Sequence, residues 1–176
     1  MSKKVNSNEI HKKVSDIFEK IKNSEKGYKE NLKSLKIDHI NEIQLKDNQK
    51  CYLIQISSKN LTSFKKVHSL LSKTLEEYLS NTVLLIPSRK KIKEKQYNKN
   101  FFSKKYGKDN TLNSVFDSYL EDILYPATII GKRIRYPLEK TTVIVDPLYK
   151  ETINYKLDAI KACFKLLTNS KLDIEF

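Results

Sequence analysis

Ile10, Val14, Ile17, Phe18 and Ile21 recur every three or four positions. That spacing lines one face of a helix. Ser7 or Asn8 can cap its start and Gly27 can end it. Leu32 and Leu35 predict a short second helix. The period then changes. INEIQLK (40–46) and KCYLIQIS (50–57) are rich in strand formers, and the Asp47-Asn48-Gln49 link between them reads as a hairpin connection. Helical period returns over 61–79, where Leu61, Phe64, Val67, His68, Leu71, Leu75, Tyr78 and Leu79 share one side. TVLLIP (82–87) is a short apolar run ended by Pro87, hence a buried strand. Strand, long helix and strand make a crossover unit, which is right-handed if the two strands pair in parallel.

Residues 88–110, SRKKIKEKQYNKNFFSKKYGKDN, keep no period and hold almost no aliphatic residues. They predict an arm outside the core. The clearest helix follows: Leu112, Val115, Phe116, Tyr119, Leu120, Ile123 and Leu124, capped by Asn110 or Thr111 and ended by Pro126. TIIGKRIRY (128–136) and KTTVIVD (140–146) predict two strands joined by a short Pro-Leu-Glu connection, a second hairpin. Ile153, Leu157, Ile160, Phe164 and Leu167 predict a last helix over 149–168, and LDIEF (172–176) a final strand. No internal repeat is visible, and no composition break asks for a boundary. The expectation is a single mixed α/β (α+β) domain over 1–176: a mixed sheet with flanking helices and a long basic arm at 88–110.

Composition adds constraints. With 176 residues and 39% hydrophobic content, the chain can bury a core without disulfide or metal staples. No stretch approaches the ~20 apolar residues of a membrane span, and MSKKVNSNEI has no signal-peptide core. A soluble intracellular protein is expected. Cys51 and Cys163, and His11, His39 and His68, stand at no metal-ligand spacing. Glycines at 27, 107 and 131 alone cannot write a phosphate-cradling loop.

The net charge is +13. Its distribution says more than its size, because a dense local patch attracts a polyanion and releases its counterions. Residues 87–108 carry nine Lys or Arg and one Glu, whereas 109–176 carry nine basic and ten acidic residues. Of 34 basic residues only Arg89, Arg133 and Arg135 are Arg, a bias that fits A/T-rich coding and weakens the total as evidence. The three guanidinium forks suit bidentate phosphate or carboxylate contacts.

Two segments are candidate nucleic-acid sites. In the arm, Arg89, Lys90, Lys91, Lys93, Lys95, Lys99, Lys104, Lys105 and Lys108 are interleaved with Tyr97, Phe101, Phe102 and Tyr106. Cations neutralise phosphates while rings stack on unpaired bases. The plainer reading is a solvated loop. In IIGKRIR (129–135), strand alternation points Arg133 and Arg135 one way and Lys132 and Ile134 the other. The two forks then stand ~7 Å apart, near the spacing of successive phosphates. The plainer reading is an edge strand that charge protects from aggregation.

Enzyme chemistry finds no support. His68 lies on an apolar helix face, where a packed core histidine is the default. Cys51 and Cys163 fall within predicted elements as small hydrophobes. Glu76-Glu77 and Glu121-Asp122 are adjacent on helices, ~100° apart, so neither pair forms a carboxylate dyad. No catalytic site, cofactor, metal or small-molecule substrate is expected.

Three stretches in order carry a resemblance: LTSFKKVHSLLSKTLEEYLSNTVLLIPSRKKI (61–92), TLNSVFDSYLEDILYPATIIGKRIR (111–135) and KLLTNSKLDIEF (165–176). They resemble the S seven-e family of eukaryotic small-subunit (40S) ribosomal proteins, with weaker similarity back to about residue 15. The run 120–133 is its most diagnostic part. The resemblance implies a structural constituent of the 40S subunit. It would bind 18S-type ribosomal RNA and neighbouring small-subunit proteins and take part in subunit assembly and translation. It implies a cytoplasmic ribosomal location with a nucleolar assembly phase. Arg89, Lys90 and Lys91 match the start of the family's basic arm, and Lys132, Arg133 and Arg135 its Gly-Lys-Arg-Ile-Arg segment. Lys108, Asp109 and Asn110 depart from the Arg that members carry before the Thr-Leu helix, and 137–140 lacks the usual Gly turn. The alternative is a non-ribosomal RNA-binding or ribosome-assembly factor using the same arm.

Overall fold

The structure, a computed structural model, describes residues 7–24, 31–32, 35–45, 49–58, 61–88, 112–135 and 140–176. It divides into two units, Met1–Ser88 and Arg89–Phe176. The expected mixed α/β class holds. Its strands form two small three-stranded sheets.

In the first unit, helix α1 (Ser7–Ser24) precedes strands β1 (Leu35–Gln44) and β2 (Lys50–Ser58), helix α2 (Leu61–Leu79) and strand β3 (Thr82–Pro87). The sheet order is β1-β2-β3. β1 and β2 are antiparallel, with Gln44 opposite Lys50 beside the connection that the sequence marks as a hairpin. β2 and β3 are parallel, so 50–87 is the expected crossover. The helical period of α1 places Val14, Ile17, Phe18 and Ile21 in the core, where Phe64, Val67, Leu71 and Leu75 of α2 meet Tyr52, Ile54, Ile56, Val83 and Leu85. Glu76 accepts a hydrogen bond from the Val83 amide at 3.2 Å, tying the last turn of α2 to the start of β3.

One expectation is corrected in part here. Asn31 and Leu32 are helical, as the expected short second helix asks, but Leu35 opens β1. Leu35 pairs with Ser58, so sheet pairing decides its conformation over its helical spacing from Leu32. The proposed stop at Gly27 lies outside the described residues.

In the second unit, helix α3 (Leu112–Leu124) precedes strands β4 (Ile129–Arg135) and β5 (Lys140–Val145). A 3₁₀ turn (Pro147–Tyr149), helices α4 (Lys150–Asn154) and α5 (Leu157–Thr168) and strand β6 (Lys171–Glu175) follow. The order is β4-β5-β6. β4 and β5 are antiparallel, and β5 and β6 parallel. Val115, Tyr119, Leu120, Ile123 and Leu124 of α3 are buried, as are Ile160, Cys163 and Phe164 of α5 and Val143, Val145 and Leu172 of the sheet. Asp146 caps the 3₁₀ turn by accepting from the Leu148 amide at 3.0 Å.

The single helix expected over 149–168 is divided. At Tyr155 and Lys156 the bonding changes: the Lys156 amide reaches only to the Ile153 carbonyl, at 2.8 Å, a three-residue closure. Ile153, Asn154 and Tyr155 are all middling helix formers, so nothing local resists the break. The heptad-like apolar spacing continues through it, which is why the sequence alone reads as one helix. Among the described residues no helix is long and apolar enough to cross a membrane.

Candidate nucleic-acid interface

Of the two segments singled out by charge, one lies on the described fold. Arg89, Lys90, Lys91, Lys93, Lys95, Tyr97, Lys99, Phe101, Phe102, Lys104, Lys105, Tyr106 and Lys108 all lie outside the described residues. Lys132, Arg133 and Arg135 lie on β4, at one edge of the second sheet.

The geometry of β4 follows from its pairing. Ile129 faces Val145 but Gly131 faces Ile144, so an irregularity at Ile130 resets the register. From there alternation is regular. Gly131, Arg133 and Arg135 point to one face, and Lys132 and Ile134 to the other. The ammonium of Lys132 binds the carboxylate of Asp117 on α3, which marks the Lys132 face as the one carrying the helix. Val143, Val145 and Leu172, buried, share that face. Arg133 and Arg135, both exposed, stand on the opposite, open face. A Cβ added at Gly131 would lie 3.4 Å from Ile144 Cδ1, a cross-strand contact on the open face beside Arg133.

The register brings further charges to these arginines. Arg135 faces Lys140 on β5, and Lys140 faces Lys171 on β6. One step along the strands, Arg133 faces Thr142, which faces Asp173. Neither Lys140 nor Lys171 stands out in the sequence. The hairpin hinted at Lys140 opposite Arg135, but nothing local fixes the register of a crossover strand. Lys140 Nζ lies 2.5 Å from Asp173 Oδ2. Its hydrogen bond, aided by the charges of Lys140, Lys161 and Arg135, holds the Asp173 carboxyl below the usual carboxylate range. Asp173 lies beside the Arg135–Lys140–Lys171 row, two residues along β6 from Lys171, and pairs with its middle residue.

The sequence profile of ribosomal protein S7e matches residues 1–176. The chain belongs to the ribosomal protein S7e family. Small ribosomal subunit protein eS7 of Manduca sexta is 33% identical over 153 residues, 84% of this chain and 80% of that protein. Small ribosomal subunit protein eS7z of Arabidopsis thaliana is 28% identical over 178 residues, 99% of this chain and 92% of its own. Protein eS7A of Saccharomyces cerevisiae is 28% identical over 170 residues, 95% and 90% of the two chains. The resemblance carried by 61–92, 111–135 and 165–176 is borne out.

In this S7e-family chain three of the side chains weighed for enzyme chemistry, His68, Cys51 and Cys163, are buried, whereas Glu77 and Glu121 are exposed. His68 is buried, with Nε2 3.3 Å from the Leu85 carbonyl oxygen and its ring edge-on to Phe64 at 5.5 Å between centroids. Cys51 and Cys163 are buried and form no disulfide, and they pack as small hydrophobes. Among the described residues no group of three His, Cys, Asp or Glu could hold a metal ion.

Proposed function

We propose that this chain is a structural constituent of the small (40S) ribosomal subunit, binding 18S-type ribosomal RNA and contributing to subunit assembly and to translation. The observation that carries the reading is the S7e profile spanning residues 1–176, joined to relatives named as small ribosomal subunit proteins in plants, yeast and insects.

The mechanism is scaffolding rather than catalysis. Lysine and arginine replace counterions around folded RNA. Recognition of a folded RNA rests on shape and backbone more than on base edges. Arg89 and the lysines at 90, 91, 93, 95, 99, 104, 105 and 108 supply charge in the arm, and Tyr97, Phe101, Phe102 and Tyr106 supply stacking surfaces. Arg133 and Arg135 offer bidentate forks from the open face of β4, and Lys132 adds its remaining donors from the other face. The two units and the arm serve as one ribosomal-protein domain. Neighbouring small-subunit proteins complete the partners. The protein works in cytoplasmic ribosomes after a nucleolar assembly phase.

Sucrose-gradient fractionation of source cells tests this. The expected result is steady, stoichiometric presence in the 40S and 80S peaks and in polysomes. Confinement to precursor particles or to the free fraction would instead identify a non-ribosomal RNA-binding or assembly factor.

A further inference from the structure

The open face of the second sheet carries more positive charge than β4 supplies. Arg135, Lys140 and Lys171 form one row across all three strands, each directly opposite the next. Adjacent strands lie ~4.8 Å apart, so the row spans ~10 Å. Arg133 stands ~7 Å from Arg135 along β4, which turns the row into an L with its corner at Arg135. All four residues present solvent-accessible side chains. Like charges directly opposite on a sheet are destabilising, and the one carboxylate at hand, Asp173 on Lys140, offsets that cost only in part.

One structural explanation falls short. Charge that protects a sheet edge accounts for Arg133 and Arg135 on β4, but Lys140 is on the central strand, which has no edge to protect. The opposite end of the second sheet's open face, Gly131, Ile144 and Glu175, carries no cation. The positive charge is concentrated where three strands bring it together.

We propose that Arg133, Arg135, Lys140 and Lys171 form one binding site for the sugar–phosphate backbone of RNA, with the strand crossing the sheet from β4 to β6. Lys140 and Lys171 thereby join the interface. Asp173 sits inside the L on Lys140 and moderates it, lowering the affinity of the empty site for anions. The proposal rests on the RNA-binding reading above and adds a second contact surface, separate in sequence from the 88–110 arm. The contact is to phosphates, so it is independent of base sequence.

The test is equilibrium binding of the full chain to purified yeast small-subunit ribosomal RNA, titrated against salt. Removing one cation that neutralises a phosphate should reduce the slope of log K against log salt by about 0.7–0.9. The double substitution Lys140→Ala with Lys171→Ala should therefore lower the slope by nearly two units and weaken binding roughly tenfold at 0.1 M salt. Asp173→Asn should act in the opposite direction, tightening binding about threefold by freeing Lys140. A misfolded variant cannot produce that tightening. If the wild-type chain binds with strong salt dependence and all these variants match it, the sheet-face site is overturned while the ribosomal reading stands on the arm. If polyglutamate competes for the site as well as RNA does, the surface belongs to an acidic protein and the proposal is overturned. Failure of the wild-type chain to bind RNA at all overturns the site together with RNA binding through the arm.

Discussion

Ser80 follows the last residue of α2 and takes a φ of 51°, and Asn169 follows α5 with a φ of 60°. Both are left-handed helix-ending positions, where a Cβ is unfavourable. Asparagine tolerates that region and serine does so less well. Asn169 closes its cap with a hydrogen bond from its own amide to the Lys165 carbonyl at 2.8 Å. Ser80→Gly should therefore stabilise the protein by roughly 0.5–1 kcal/mol, the relief of the left-handed strain less the extra unfolded-state freedom of glycine. Asn169→Gly should change stability by only a few tenths of a kcal/mol. Urea unfolding of the two variants beside the parent checks this. Equal stability of Ser80→Gly and the parent would mean that the turn after α2 carries no strain.

At the scale of elements, the second sheet couples stability to pH through one carboxylate. The Lys140 hydrogen bond holds Asp173 below its ordinary ionisation range. A folded pKa below the unfolded one means that the stabilisation is fully present above about pH 4. It is lost as pH falls through the lower, folded value. The Asp173 side chain is nearly half exposed, so the screened pair contributes well under ~1 kcal/mol. Asp173→Asn should be slightly less stable than the parent at pH 7, and the two should converge as pH falls through the lowered, folded value and the parent's carboxyl itself becomes neutral. Unfolding midpoints measured from pH 2.5 to 7 decide it, and a gap that persists at the acid end would assign the effect to packing. The same sheet shows how far residue patterns carry. Period 3.6 over 61–79 and the apolar run at 82–87 give α2 and β3 with their observed bounds, because burial demands those patterns. The alternation of Arg133 and Arg135 against Lys132 is legible for the same reason. Leu35 and the break at Tyr155 are not, since tertiary pairing and a local change of hydrogen bonding decide them. Lys140 and Lys171 meet only through register between distant segments, and no local pattern encodes that register.

The whole molecule repeats one topology twice without a visible sequence repeat. Each unit runs helix, antiparallel hairpin, helical crossover and parallel third strand, and each keeps its second strand central. The segment between β3 and α3 belongs to neither pattern in sequence terms: residues 90–108 hold eight lysines, four aromatic residues and a single aliphatic, Ile92. Apolar burial supplies most folding free energy, and this stretch offers little aliphatic surface for it. Its contribution should therefore register in RNA binding and hardly in folding. Replacing 90–108 by a Gly/Ser segment of equal length keeps the chain connection and removes the charge. The expected outcome is a thermal midpoint within a few degrees of the parent, with the salt slope of RNA binding lower by several units, about 0.7–0.9 for each phosphate the lysines engage. A residual slope should survive and should fall further when Lys140→Ala and Lys171→Ala are added, because charge neutralisation counts contacts and the two sets of residues are distinct. An unchanged slope with a large fall in midpoint would reverse the assignment and make the lysine-rich stretch a part of the folded core.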